Sequence, residues 1–256
     1  MKFPLTAAAL ALAALMPAGH AADWQDSGDP LASARWRDMQ QQFLAGQPVL
    51  FDPRVVVSAP TVAEDPMQVP VTVDATALPL VEEVVVFADF NPIVEMLRFY
   101  PLAARPYLGF RVKLQQSTPV RAAVRTRDGV WHVGGTWVQT TGGGCTAPSA
   151  AAASPEWQSR LNEVSGRQWT AGPNAGRVRL RIVHPMDTGL VAGIPAFHLE
   201  DIQFSDSDGR ALLRLRTFEP VSENPVFTLQ RADGNGPLQI SGRDNNGNRV
   251  EARITP

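Results

Sequence analysis

The sequence holds a single cysteine, Cys145, among 256 residues. That excludes a disulfide within the chain and a zinc site built from several thiolates, and leaves one thiol to explain. Net charge is almost absent. The 23 lysines and arginines against 25 acids give −2, so no global field would gather nucleic acid or anionic lipid, and neither is expected as a partner. Catalytic signatures are missing as well: there is no His-Glu-x-x-His, Gly-x-Ser-x-Gly, Walker loop or dinucleotide fingerprint. The expectation is a protein with no catalytic residues and no cofactor. His132, His184 and His198 are scattered without ligand spacing, so no metal site is expected. Asp244-Asn245-Asn246-Gly247-Asn248 opens like a calcium loop but lacks a closing glutamate, and reads as a polar hairpin turn.

What is present begins with an address. Lys2 precedes an apolar run from Leu5 to Met16, and Gly19 and Ala21 are small residues placed for cleavage after Ala21. The run is too short to span a bilayer, so residues 1–21 read as a cleaved secretory signal peptide and the mature protein as periplasmic. No later stretch reads as a membrane span. In residues 22–54 Asp29 and Pro30 can open a helix bearing Trp36, Met39 and Phe43 on one face, ended by Gly46 and Pro48.

Residues 55–141 then change to short β-branched runs: Val55–Val57, Val69–Val73, Val84–Phe87, Tyr107–Leu114, Val120–Thr126 and Trp131–Val138. Turn residues punctuate them, Asp128-Gly129 among them. Residues 174–256 repeat that texture, with runs at Val178–Val183, Ala196–Phe204, Ala211–Thr217, Val226–Gln230, Leu238–Ser241 and Arg249–Ile254. Each block has the strand spacing of a β-sandwich, so the fold class expected is all-β with two immunoglobulin-like sandwiches. Both blocks carry an Asn-Pro after a strand, at Asn91-Pro92 and Asn224-Pro225. The arginines lie along strands among acids and read as solvated sheet faces.

Residues 142–173 join the blocks. Gly142 to Ala153 lack large side chains and read as flexible, and Ser154 and Pro155 cap a short helix bearing Trp157, Leu161 and Val164, ended by Gly166. Cys145 lies in the flexible part, preceded by Gly142, Gly143 and Gly144, where no neighbour in sequence can bury it. An exposed thiol on a mobile tether suits a covalent carrier, because catalysis would need a base and an orienting group beside the nucleophile. The glycines would form a presenting arm slim enough for a narrow channel, and valines in their place should leave folding unchanged. With no lysine or arginine close in sequence, the thiol should titrate near its ordinary value of about 8.5.

Residues 55–145 resemble the SoxY subunit, and residues 174–256 the SoxZ subunit, of the sulfur-oxidation carrier SoxYZ, here in one chain. The SoxY-like stretches are Phe87-Ala88-Asp89-Phe90-Asn91-Pro92, Arg111-Val112-Lys113-Leu114, Val120-Arg121-Ala122-Ala123-Val124 and Gly143-Gly144-Cys145. The SoxZ-like ones are His184-Pro185-Met186-Asp187-Thr188-Gly189, Ile194-Pro195, Glu223-Asn224-Pro225 and Asp244-Asn245-Asn246-Gly247. The resemblance implies a non-enzymatic carrier that holds a sulfur intermediate on Cys145 while partner enzymes act on it. It differs at one point: the SoxY arm normally ends its chain as Gly-Gly-Cys-Gly-Gly, whereas Thr146 follows here and the arm is tethered at both ends. Fused chains of this kind are similar to carriers associated with quinoprotein dehydrogenases, so the implied partners are sulfur-oxidising enzymes, c-type cytochromes or such a dehydrogenase. An adaptor for an exported dehydrogenase or cytochrome, with Cys145 incidental, is the alternative. A peroxide-reducing or disulfide-exchanging thiol would need a resolving partner that the chain lacks.

Overall fold

A computed structural model of the protein describes residues 28–150, 157–172 and 175–256; the expected signal peptide, residues 1–21, and the expected helix cap at Ser154-Pro155 lie outside them. The all-β expectation is met. One helix, α1 (Trp36–Leu44), precedes β1 (Val49–Phe51), β2 (Val56–Ser58), β3 (Val62–Ala63), β4 (Val69–Asp74), β5 (Val81–Ala88), β6 (Glu95–Tyr100), β7 (Ala104–Val112), β8 (Thr118–Thr126) and β9 (Trp131–Thr140). The second block supplies β10 (Val164–Gly172), β11 (Ala175–Ile182), β12 (Leu199–Ser205), β13 (Ala211–Thr217), β14 (Val226–Arg231), β15 (Leu238–Asp244) and β16 (Arg249–Ile254).

These strands form two sheets that both run through the two blocks. The first has the order β1-β9-β8-β5-β6-β13-β12-β15-β16, with β3 also paired to β9; the second has the order β10-β11-β14-β7-β4-β2. The crossings are antiparallel pairs, Leu215 opposite Phe99 in β13–β6 and Leu229 opposite Leu108 in β14–β7. Backbone hydrogen bonds therefore join the blocks edge to edge, which also removes four exposed strand edges. The inward side chains, among them Val86, Phe99, Phe110, Leu180, Leu215 and Phe227, form one continuous buried cluster.

Alternation explains most strands. β11 buries Val178, Leu180 and Ile182 and turns Arg179 and Arg181 to solvent. β5 departs from alternation because both its faces are covered. Val84 and Val86 face the other sheet, while Val85 and Phe87 pack under α1, where Phe43 stacks on Phe87 at 4.9 Å. Trp36, Met39, Phe43 and Leu44 form the buried stripe of α1, each contributing about 2 kcal/mol by burial.

Asp29 does not start this helix. It caps the preceding turn by accepting from the Leu31 and Ser33 amides at 3.1 and 2.8 Å. Its carboxylate also accepts from both terminal nitrogens of Arg121 at 2.8 and 2.7 Å, while Arg121 Nε contacts both Asp89 oxygens at 3.1 Å. Arg121 is thus fully buried between two carboxylates and beneath Trp36, and Arg231 is buried beside Asp233; these two are not solvated arginines. Burial pushes the Asp89 carboxyl up, whereas for Asp29 burial is outweighed by Arg121, which holds its carboxyl down.

Two further readings need correction. Residues 158–160 make only one 3-10 turn, and Val164 and Gly166 belong to β10 rather than to a helix. A Cβ on Gly166 would lie 2.7 Å from Ile254 Cδ1 and 2.8 Å from the Arg179 carbonyl oxygen, so glycine lets β16 approach the second sheet.

Candidate functional site

After β9 the chain does not leave the surface as a free arm. The Gly143 and Gly144 amides donate to the Gln115 and Leu114 carbonyls at 3.0 and 3.1 Å, which lays the loop against the connection between β7 and β8. Gly142 and Gly143 have φ of +86° and +87°, a left-handed geometry that favours glycine. Gly144 is held by close packing: a Cβ there would sit 2.2 Å from the Pro66 carbonyl oxygen and 2.8 Å from that of Leu114. The glycines are needed by this packed loop, so three valines would disrupt it.

Cys145 is consequently buried, with 0% of its surface exposed, and the expectation of an exposed thiol fails. Its amide donates to Gln115 Oε1 at 3.2 Å, its Sγ donates to the Lys113 carbonyl at 3.5 Å, and its own carbonyl accepts from Thr188 Oγ1 at 2.6 Å. Asn91, from the first Asn-Pro, fixes that frame. Its Nδ2 donates to the Lys113 carbonyl and its Oδ1 accepts from the Gln115 amide, both at 2.9 Å. Ser149 is also buried, and its amide reaches Asp187 Oδ1 at 3.4 Å, so the loop is anchored against both blocks at Gly144, Cys145 and Ser149 rather than standing free.

The second block supplies the other wall. Lys113 is 1% exposed, and its Nζ donates to the Met186 carbonyl across the junction. The His184-Pro185-Met186-Asp187-Thr188 stretch is shaped by its own contacts: the Met186 amide donates to His184 Nδ1 at 3.0 Å, and Asn224, from the second Asn-Pro, brackets His184 with bonds of 3.3 and 2.7 Å. Since Nδ1 accepts a hydrogen bond from the Met186 amide, neutral His184 carries its hydrogen on Nε2, which lies 3.6 Å from Asp244 Oδ2 and has no hydrogen-bond partner among the described residues. Asp244 itself caps the polar hairpin turn through the Asn246 and Asn248 amides, both at 2.9 Å.

Electrostatics keep the thiol quiet. Burial pushes Cys145 up to about 11, against a smaller opposing pull from Lys113, so it is a thiol and not a thiolate at neutral pH. The expectation of an ordinary thiol is therefore wrong, and although no base is close in sequence, Lys113 is close in space. Burial pulls Lys113 below its usual value, with Asp187 opposing, and drops His184 to about 4 despite Asp244. This arrangement buries a neutral thiol between the two blocks. Lys113, Gln115, Asn91, Thr188 and Met186 were not singled out by sequence reasoning, although all but Gln115 lie in the stretches that carry the SoxY and SoxZ resemblance.

Comparison with known proteins agrees with these stretches. The sulfur oxidation protein SoxY family model matches residues 40–145, ending on the buried cysteine, and the sulphur oxidation protein SoxZ model matches residues 170–255. No curated protein matches the chain. Among solved structures, the sulfur carrier protein SoxY from Chlorobium limicola f thiosulfatophilum is similar at 20% identity with a TM-score of 0.37, covering 41% of this chain and 90% of its own. The chicken CNTN1 FN1–FN3 domains align at 9% identity with a TM-score of 0.23, over 78% of this chain and 66% of theirs. With the two family matches covering most of the sequence in order, the chain belongs to the SoxY and SoxZ families of sulfur oxidation proteins, joined in a single polypeptide.

Proposed function

We propose that the protein is a periplasmic carrier that holds a sulfur intermediate covalently on Cys145 and presents it to partner enzymes. One observation carries the reading: the chain's only thiol stands where the SoxY match ends, and the SoxZ-like block closes over it through Thr188 and Met186. The SoxY and SoxZ family matches, in order along one chain, support the same role. Residues 1–21 serve as the export signal, 22–54 as the helical segment, 55–141 and 174–256 as the SoxY-like and SoxZ-like sandwiches, and 142–173 as the Cys-bearing connection.

In the closed state the thiol is shielded, so loading requires the 142–150 loop to lift. Lifting breaks the Thr188 and Gln115 contacts, and Gly142 and Gly143 give the backbone freedom to swing. The released thiol returns to an ordinary pKa and becomes a competent nucleophile as its thiolate. Chemistry on the cargo belongs to the partners, which are sulfur-oxidising enzymes, c-type cytochromes or a quinoprotein dehydrogenase.

Burial of Cys145 favours a second reading, in which the joined sandwiches are an adaptor for an exported dehydrogenase or cytochrome and the cysteine only packs. Replacement Cys145→Ser in the native host separates the two. A carrier loses sulfur-dependent respiration while the variant accumulates normally; an adaptor keeps it.

A further inference from the structure

The outer face of the second sheet carries more arginine than acid. Register places Arg167 of β10 opposite Arg179 of β11, Arg179 opposite Thr228 of β14, and Thr228 opposite Gly109 of β7. Because Val178, Leu180, Phe227, Leu229, Leu108 and Phe110 point into the core, the alternate residues Arg167, Arg177, Arg179, Arg181 and Arg111 share the outer face. Adjacent strands lie about 4.8 Å apart, so five guanidinium groups occupy one strip. None of the five makes an ion pair within 4 Å among the described residues, whereas the buried Arg121 and Arg231 do.

Few acids lie beside it, and Glu163, which also feels the Arg181 charge, is held mainly by Arg160. Glu163 accepts two bonds from Arg160 at 2.7 and 2.9 Å, and Asp74 holds Thr76 at 2.9 and 2.6 Å. Aromatics interleave with the charge: Arg177 stacks on Tyr107 at 5.1 Å, and Trp169 is 37% exposed. A shallow groove of about 840 Å³ runs along Arg167, Trp169, Arg179 and Arg181. A smaller depression of about 160 Å³ brings Arg179 together with Arg111 from the first block, so the face crosses the junction of the blocks.

Like charges directly opposed on neighbouring strands cost stability, yet Arg167 faces Arg179 in a protein whose net charge is −2. Arginine beside exposed aromatic rings is the composition of partner-binding surfaces, and an unbalanced strip of one sign steers a partner of the other. We propose that this face docks a partner protein through an acidic surface patch. A long polyanion or an anionic membrane would extend past the strip onto the acidic remainder of the molecule, whereas a patch of matching size would not.

The test uses the full-length mature chain and a short hexaglutamate peptide as probe, followed by NMR at low salt, with phosphatidylglycerol vesicles and duplex DNA as comparators at equal charge concentration. Shifts confined to 165–169, 177–181, 226–230 and 107–111, weakening with added salt, are expected. Arg167→Glu should weaken binding about tenfold while raising Tm by about 2 °C, because it turns a repelling cross-strand pair into an attracting one. Arg179→Gln, a milder change, should weaken binding in the same sense. Shifts elsewhere, unchanged affinity in a folded variant, or tighter binding to vesicles or DNA would each overturn the proposal.

Discussion

Thr188 and Cys145, 43 residues apart in sequence, are joined by a 2.6 Å hydrogen bond from the threonine hydroxyl to the cysteine backbone carbonyl. That bond ties the lid over the thiol to the block that did not supply the thiol. A buried neutral hydrogen bond contributes about 1 kcal/mol, which is about a fivefold change in the population of an open loop. Thr188→Val should therefore speed alkylation of native Cys145 by iodoacetamide about fivefold, with Tm lowered by about 2–4 °C. An unaltered rate would show that Thr188 does not hold the loop shut.

The glycines differ in what they do. At Gly144 a methyl group would lie within 2.2 Å of the Pro66 carbonyl oxygen, and the loop would have to move. Gly144→Ala should expose the thiol and raise the alkylation rate by more than an order of magnitude, a packing-mutation cost of about 2 kcal/mol or more. Gly143→Ala meets nothing within 4 Å and carries only the strain of φ +87°, about 1 kcal/mol, so it should have the smaller effect. Stopped labelling assays on the two variants test the order; the reverse order contradicts it.

Thiol titration gives a pH signature. The folded value of about 11 lies above the ordinary one, so folded Cys145 binds its proton more tightly than unfolded Cys145. That contribution to stability is full below about pH 8.5 and is lost as pH rises toward 11, amounting to roughly 3 kcal/mol. Thiolate absorbance of the native protein, with Cys145→Ser subtracted, should rise with a midpoint near 11, and near 8.5 in denaturant. A native midpoint near 8.5 would place the thiol in water.

His184 works in the opposite direction. Its folded value, about 4, lies below the usual one, so the unfolded chain takes up a proton first as pH falls. Stability is lost between about pH 6.5 and 4, and the wall beside Met186 should loosen there. Hydrogen exchange at the Met186 amide, which bonds His184 Nδ1, should accelerate across that window relative to core amides such as that of Leu229. Parallel behaviour of the two would contradict it.

Strands that alternate were legible in the sequence, as at Val69–Val73, because one buried face imposes a period of two. β10 was not, since its inward positions are Val164, Gly166 and Gln168, too weak an apolar stripe to announce a strand, while Trp157, Leu161 and Val164 mimic helical spacing. The junction of the sheets was also hidden: the pairing of β6 with β13 depends on edges more than a hundred residues apart. At the site, Cys145 stood out by its scarcity and its glycines, but its burial comes from Gln115, Lys113 and Thr188, 30, 32 and 43 residues away. Local composition reports on neighbours in sequence, and this thiol is covered by neighbours in space.

The central claim is that Cys145 carries cargo. Intact-mass spectrometry of the protein purified from its own host during growth on reduced sulfur, before and after treatment with reductant, tests it most directly. The account predicts an added mass of sulfur or sulfur plus oxygen that localises to the Cys145 peptide, disappears with reductant when sulfur-bonded, and is absent from Cys145→Ser. A wild-type protein that stays at its unmodified mass throughout such growth would contradict it.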